Sequence, residues 1–187
     1  MTLSVVPGAA GAVAAVLAGD PETVARTAAD QSRAIWMPPA SRQADLVIAT
    51  VVGDHAEQTW DNLGRALSAA AALVEPGGAI ALCSELDEPP GGSLNRLLDA
   101  VDFGEVQQEL MHDEADDVAP ALALAKALDS GPVYLRSRLA ADVVEALGMT
   151  PIVDDDELSR LVASREHCIV IEEAQRVRPQ LAKRDAL

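Results

Sequence analysis

Polar side chains follow several of the predicted strands at the points where those strands end. In an α/β fold with parallel strands, these carboxyl ends meet at one edge of the sheet, and small ligands usually bind outside that edge. His55 is the candidate for chemistry there, because an imidazole that titrates near neutral pH could transfer a proton or contact a ligand. The set expected to line the edge is Gly53, Asp54, His55, Ser84, Glu85, Ser137, Arg138, Glu172 and Glu173.

A second group of polar residues surrounds another histidine. Its members are His112, Asp113, Glu114, Asp116 and Asp117. This spacing could hold a divalent ion, but a run of like charges is more often a solvated turn. The third histidine, His167, directly precedes an apolar run and is expected to be structural. We therefore predict no metal site in this chain.

Apolar periodicity and turn signals place the elements that must position these residues. Asp20 is predicted to cap the first helix, and Asp154 with Glu157 has the spacing of a capping box. The residues between 102 and 117 show no regular pattern. Strands are predicted at 3–7, 12–17, 45–51, 79–84, 133–136 and 168–172, and helices at 21–35, 57–74, 93–101, 118–129, 138–147 and 154–165.

The alternation of strands and helices predicts an α/β fold. Residues 45–51 (DLVIATV) are continuously apolar and rich in β-branched residues, which is typical of a strand buried on both faces. We expect a three-layer sandwich with a mainly parallel sheet and helices on both faces, a mixed sheet being the alternative. Residues 1–179 are expected to form one α/β domain, followed by a polar tail at 180–187.

Composition and charge exclude several classes of function. The 187 residues include 30 Asp and Glu against 14 Lys and Arg, for a formal charge of −16. Such a field repels phosphate backbones and anionic lipid surfaces, so neither nucleic acid nor a membrane is an expected partner. Cys83 and Cys168 each lie in an apolar run and are predicted to be buried thiols rather than a disulfide. A cytoplasmic location is expected.

Two stretches of the chain together resemble one protein family. They are ADLVIATVVGD with WDNLGRALSAAAALVEPGGAIALCSEL, and VYLRSRLAADVVEALGMTPIVDDDELSRL. The ordered strands, loops and helices resemble the C-terminal domain of the nickel-pincer-nucleotide lactate racemases, from about residue 3 to 179. The resemblance implies a second, N-terminal domain in cis that holds the nickel-pincer nucleotide. This chain alone would hold no cofactor, and none of its residues is a certain catalytic residue.

The resemblance also implies where a substrate would bind. In the family, the helix after the DLVIA-type strand carries Gln and Lys three residues apart, and these positions match Asn62 and Arg65. An amide and a basic side chain on one helical face could hold the hydroxyl and carboxylate of a 2-hydroxy acid. The family's Gly-Gly-Tyr-Pro-Lys-Asp loop is replaced by residues 52–57, which include Asp54 and His55. A family Trp is replaced by Ala119 or Pro120.

Three functions remain open from the sequence. The first is the substrate-facing domain of a lactate racemase-like isomerase that acts on a small 2-hydroxy acid. The second is an S-adenosylmethionine-dependent methyltransferase, with Pro7–Gly11 as its glycine loop and ADLVIATVV as a later strand. The third is a non-catalytic binding module. For Arg65 itself, the alternative to anion binding is an exposed ion pair with Asp61, four residues earlier.

Overall fold

The computed structural model describes residues 1–115 and 117–182. Its strands and helices are β1 (Thr2–Pro7), β2 (Val13–Gly19), α1 (Pro21–Trp36), β3 (Pro39–Ala40), β4 (Ala44–Thr50), α2 (Trp60–Ala71), β5 (Val74–Cys83), α3 (Phe103–Leu110), α4 (Val118–Ser130), β6 (Val133–Arg136), α5 (Ala141–Ala146), β7 (Thr150–Pro151), α6 (Asp155–Ala163), β8 (Cys168–Ile171) and β9 (Gln180–Leu181). Three short 3-10 helices lie between them.

The centre of the fold is a five-stranded sheet in the order β7-β6-β5-β4-β8. Every pairing within it is parallel, so the expectation of a mainly parallel sheet is confirmed. Residues 46–49 of β4 are buried on both faces, as the apolar run predicts.

Helices cover both faces of this sheet and produce the expected three layers. On one face, Val47 and Leu82 pack in a large core with Leu63 of α2 and Leu124 of α4. On the other face, a smaller core that includes Leu46 is covered by leucines of α6. The α/β three-layer sandwich inferred from the sequence is therefore the observed architecture.

The first two strands, both predicted, form a separate antiparallel hairpin. Val5 pairs with Val16 in its middle, and α1 packs against it. The turn residues Ala10 and Gly11 both have positive φ. Asp20 caps α1 through its carboxylate, which accepts a hydrogen bond of 3.1 Å from the Thr23 backbone N–H.

Two predicted helices begin later than expected. Helix α2 begins at Trp60 rather than near Glu57, because residues 55–57 form a 3-10 turn and Thr59 is the N-cap. Helix α5 begins at Ala141 rather than 138, since the Ser137 hydroxyl accepts from the nearby Leu139 N–H and closes a turn instead of a helix. Asp154 caps α6 as predicted and accepts from the Glu157 N–H at 2.8 Å, whereas the Glu157 carboxylate accepts from the N–H of Val153 rather than from that of Asp154.

Short elements account for the remaining differences. The predicted helix at 93–101 is a 3-10 helix, Gly92–Leu97, and the stretch expected to be irregular contains α3. Strands β3, β7 and β9 have two residues each, which is too short to leave a pattern in the sequence. Residues 180–181 of the predicted tail form β9, which pairs with β3. The last five residues of that tail lie outside the described residues.

The prediction of two buried thiols is wrong for Cys168. Strand β8 pairs with β4 at the margin of the sheet, and its Cys168 and Val170 side chains lie on an uncovered face. Cys83 is half-buried, and desolvation raises the pKa of its thiol. Within residues 1–115 and 117–182, no helix is long and apolar enough to cross a bilayer.

Candidate anion-binding cleft

The carboxyl ends of β4 and β5 are joined by one buried amide. Gln58 is 4% exposed, and its Oε1 accepts hydrogen bonds from the Ser84 hydroxyl at 2.8 Å and the Glu85 N–H at 2.9 Å. Its Nε2 donates to the carbonyls of Val51 and Gly53 at 3.5 and 3.3 Å. Gly53, Ser84 and Glu85 of the expected edge set therefore meet at one end of the sheet, and Gln58, which the sequence pattern does not single out, holds them together.

Several charged residues of this edge form ion pairs with one another. Arg138 contacts Glu85 at 2.5 Å, and Arg176 lies 3.3 Å from Glu173 and 3.6 Å from Glu57. Glu173 is buried, has a positive φ of 48°, and also accepts a 2.5 Å hydrogen bond from the backbone N–H of Ala10. These pairs connect the loops at the tips of the strands.

His55 and Asp54 lie away from any enclosed space. The side chain of His55 is 82% exposed, and its Nδ1 is 3.9 Å from a carboxylate oxygen of Asp87. The Asp54 carboxylate accepts from the Ala56 N–H and so caps the 3-10 turn. A role for either residue in substrate binding stays a prediction.

A cavity lies beside α2. Its volume is about 690 Å³, and it is bounded by α2, the beginning of α4 and the segment 175–179 that follows β8. Three arginines line it, namely Arg65, Arg176 and Arg178, together with the single carboxylate of Asp61. We call this space the basic cleft.

The segment 175–179 is held against the sheet by its own hydrogen bonds. The buried amide of Gln175 makes two bonds to the backbone of Val52, with Nε2 donating to the carbonyl at 2.6 Å and Oε1 accepting at 3.4 Å. The Arg178 N–H donates to the Trp36 carbonyl at 2.7 Å. The backbone that carries Arg176 and Arg178 is thus fixed, while both side chains reach solvent.

The structure separates the two residues that the resemblance places together. Arg65 lines the basic cleft, and among the ion pairs of residues 1–115 and 117–182 none joins it to Asp61. Asn62 instead donates from Nδ2 to the Glu57 carbonyl at 2.8 Å and its carboxylate at 3.2 Å. Asn62 therefore supports the loop before α2, and it is not among the residues that line the cleft.

The floor of the cleft is where α2 and α4 approach closely. A Cβ added at Gly64 would lie 2.8 Å from the Cα of Pro120. Ala119 and Pro120, the positions matched to the family Trp, both line the cleft. The small side chains here leave open a space that an indole would fill.

The acidic run around His112 is used for structure. Asp113 pairs with Arg96 at 2.6 Å, and Asp117 accepts from the Ser93 hydroxyl at 2.8 Å and the Ser93 N–H at 3.0 Å. The Ser93 hydroxyl, and then its N–H, lowers the pKa of the Asp117 carboxyl. Asp116 lies outside the described residues.

Metal donors do not cluster in the described part of the chain. No group of three His, Cys, Asp or Glu side chains there could hold a metal ion. His167 lies at the other end of the sheet, where its Nε2 is 3.0 Å from a guanidinium nitrogen of Arg42. The histidines of this chain therefore do not form a donor set for nickel.

The methyltransferase hypothesis does not fit the topology. A nucleotide-binding glycine loop connects a strand of the main parallel sheet to a helix. Residues 7–11 instead connect β1 to β2, which pair antiparallel outside the five-stranded sheet. The loop required by that hypothesis is the turn of a hairpin.

These observations define an α/β domain with a parallel five-stranded sheet and a basic cleft beside one of its helices. No family model and no curated protein matches the sequence. Among solved structures, the chain is similar to the lactate racemase apoprotein from Thermoanaerobacterium thermosaccharolyticum, with a TM-score of 0.80 and 20% identity over 95% of this chain. It is also similar to a Thermotoga maritima protein, with a TM-score of 0.54 and 12% identity over 86% of this chain.

The matched regions make up 45% and 42% of those two proteins, so the chain spans less than half the length of each. At these identities the likeness establishes the fold, which is that of a part of lactate racemase. The fold expected from the sequence resemblance is in this respect confirmed, at the level of a distant lactate racemase-like domain.

Proposed function

We propose that this chain is the substrate-facing domain of a lactate racemase-like protein and that it binds the carboxylate of a small 2-hydroxy acid. The observation that carries the proposal is the basic cleft, in which Arg65 has no ion-pair partner among the described residues. The fold shared with lactate racemase apoprotein, whose name states its substrate, supports the choice of acid.

Arg65 suits this role through its chemistry and its place. A guanidinium presents a planar fork of N–H donors that matches the two oxygens of a carboxylate. Arg65 lies on α2, whose hydrophobic face is fixed in the large core, so the point of attachment is rigid. A basic cleft within a protein of charge −16 would also attract an anion locally.

The nickel-pincer nucleotide implied by the family resemblance does not fit the residues of this chain. His55 is exposed beside Asp87, and His167 bonds to Arg42 at the other end of the sheet. In the proposal, the cofactor belongs to an N-terminal domain in cis, and this chain contributes carboxylate binding and orientation.

Calorimetric titration of the purified chain tests the proposal. We expect lactate to bind more tightly than propionate, which lacks the hydroxyl, and Arg65→Gln to weaken lactate binding by about tenfold, because a charge-assisted hydrogen bond is lost. Arg138→Gln is the matched control, since Arg138 pairs with Glu85 outside the cleft. Equal affinity of the wild-type and Arg65→Gln chains for lactate would contradict the role of Arg65.

A non-catalytic binding module is the second candidate. The small Ala119 and Pro120 side chains at the cleft favour it, because the family position they match carries a Trp. Chiral chromatography of lactate incubated with a protein that joins this chain to a cofactor-loaded domain separates the two functions. Racemisation supports the isomerase, whereas tight binding without racemisation supports the binding module.

A further inference from the structure

The charge of the basic cleft exceeds what one carboxylate requires. Arg65 and Arg178 line the cleft, and neither has an ion-pair partner within residues 1–115 and 117–182. Arg176 adds a third guanidinium, which is shared with Glu57 and Glu173. Against these, Asp61 is the one carboxylate among the lining residues. Two guanidiniums thus remain available in a strongly acidic protein.

The two available arginines come from different walls of the cleft. Arg65 is carried by α2, and Arg178 follows β8 in the segment whose backbone bonds to Val52 and Trp36. The backbone of each wall is anchored, so the two side chains enter the cleft from fixed points on different elements. Groups placed in this way suit a ligand that carries two anionic ends.

The size of the cleft agrees with a ligand larger than lactate. Its volume of about 690 Å³ falls in the range of about 300–1,000 Å³ that is usual for small-molecule pockets. Several lining residues are small, with Gly64 and Ala69 on α2 and Ala119 at the beginning of α4. Space is therefore available between Arg65 and Arg178 for carbons beyond those of a three-carbon acid.

We infer that the basic cleft selects 2-hydroxy acids that carry a second anionic group, either a carboxylate or a phosphate. The inference rests on the proposed function for its 2-hydroxy acid and on the two unpaired arginines for its second charge. Arg65 binds the carboxylate next to the hydroxyl, and Arg178 binds the distal anion. Each contact is a charge-assisted hydrogen bond of the kind that guanidiniums form with carboxylate and phosphate.

Calorimetric titration of the purified chain with malate, 3-phosphoglycerate, lactate and succinate tests the inference. We expect malate or 3-phosphoglycerate to bind at least about tenfold more tightly than lactate, because a second charge-assisted contact forms. Whichever of malate and 3-phosphoglycerate binds more tightly identifies the distal group as a carboxylate or a phosphate. Arg178→Gln should remove most of the preference over lactate, because it weakens binding of malate and 3-phosphoglycerate more than binding of lactate, and Arg178→Lys should restore part of the preference. Arg138→Gln is again the control.

The ligand set distinguishes failure of the inference from failure of the proposed function. Equal binding of lactate and the two dianions overturns the inference and leaves the proposed function standing. Equal binding of malate and succinate shows that the hydroxyl is not recognised, which overturns the proposed function while the selection for two charges holds. If none of the four acids binds, both are overturned.

Discussion

Two buried glutamine side chains hold the backbone that follows β4. Gln58 connects this loop to the end of β5, and Gln175 connects it to the segment after β8. An amide can do this because it offers both donors and an acceptor, so one side chain can bond to backbone N–H groups and to backbone carbonyls. The loops at the carboxyl edge, and through them the wall that carries Arg178, depend on these two residues.

Replacement of Gln58 by Leu should lower the free energy of unfolding by about 1–3 kcal/mol, because the Ser84 and Glu85 donors and the carbonyls of Val51 and Gly53 lose a buried partner. Gln43→Leu is the matched control, since Gln43 is only half-buried and makes one hydrogen bond, to the Val74 carbonyl. Urea denaturation of both variants gives the comparison. A loss no larger in Gln58→Leu than in Gln43→Leu would show that the amide does not hold the edge.

At the scale of elements, the sequence predicts those helices and strands that are determined by residues close together in the chain. The buried run of β4 and the caps at Asp20 and Asp154 are local signals, and each produced the predicted element. The 3-10 turn before α2 was missed because Asp54 and Thr59 are both good N-caps, and only the packing of Trp60 selects the second. Two-residue strands such as β7 exist only through their pairing partner.

The cleft could be predicted only in part, because it also depends on contacts between residues that are far apart in the chain. Arg65 is identified through the family resemblance, which matches it to a basic residue on the helix after the buried strand. Arg176 and Arg178 lie more than a hundred residues further along the chain, in a segment without periodicity, and they reach α2 because Gln175 bonds to Val52. That bond joins residues 123 apart in sequence, so no local pattern reports it.

The contact between α2 and α4 makes a prediction about Gly64. An added Cβ would lie 2.8 Å from the Pro120 Cα, so Gly64→Ala should push the helices apart and lower the free energy of unfolding by about 1–3 kcal/mol. This loss opposes the gain of up to about 1 kcal/mol that Ala brings to a helix. Thermal and urea unfolding of the wild-type and Gly64→Ala chains measure the net change in stability.

Gly91→Ala is the control for that experiment. Gly91 has a φ of −144°, which any residue adopts, and a Cβ there would meet nothing within 4 Å. We expect a change within about 0.5 kcal/mol. If Gly64→Ala is as stable as Gly91→Ala, α2 and α4 can move apart without a loss of stability. The contact at the floor of the cleft would then be less rigid than the close approach of the two helices indicates.

At the scale of the whole molecule, charge opposes the compact state. Thirty acidic and 14 basic residues leave a net charge of −16, and like charges held together in a folded chain repel one another. The ion pairs of the carboxyl edge, such as Arg138 with Glu85, act in the opposite direction but are exposed, and exposed pairs contribute little. The net electrostatic contribution to folding at neutral pH is therefore expected to be unfavourable.

Salt should for this reason stabilise the protein. The screening length falls from about 30 Å at 0.01 M to about 8 Å at 0.15 M, which weakens repulsion across the molecule more than it weakens contact pairs. We expect the midpoint of thermal unfolding at pH 7 to rise over this range. Near pH 4.3, where the net charge of the chain is close to zero, the same salt series should produce little change. A midpoint that falls with salt at pH 7 would mean that the ion pairs outweigh the repulsion. The arginines of the basic cleft would then be balanced by the acidic residues around them rather than available to an anion.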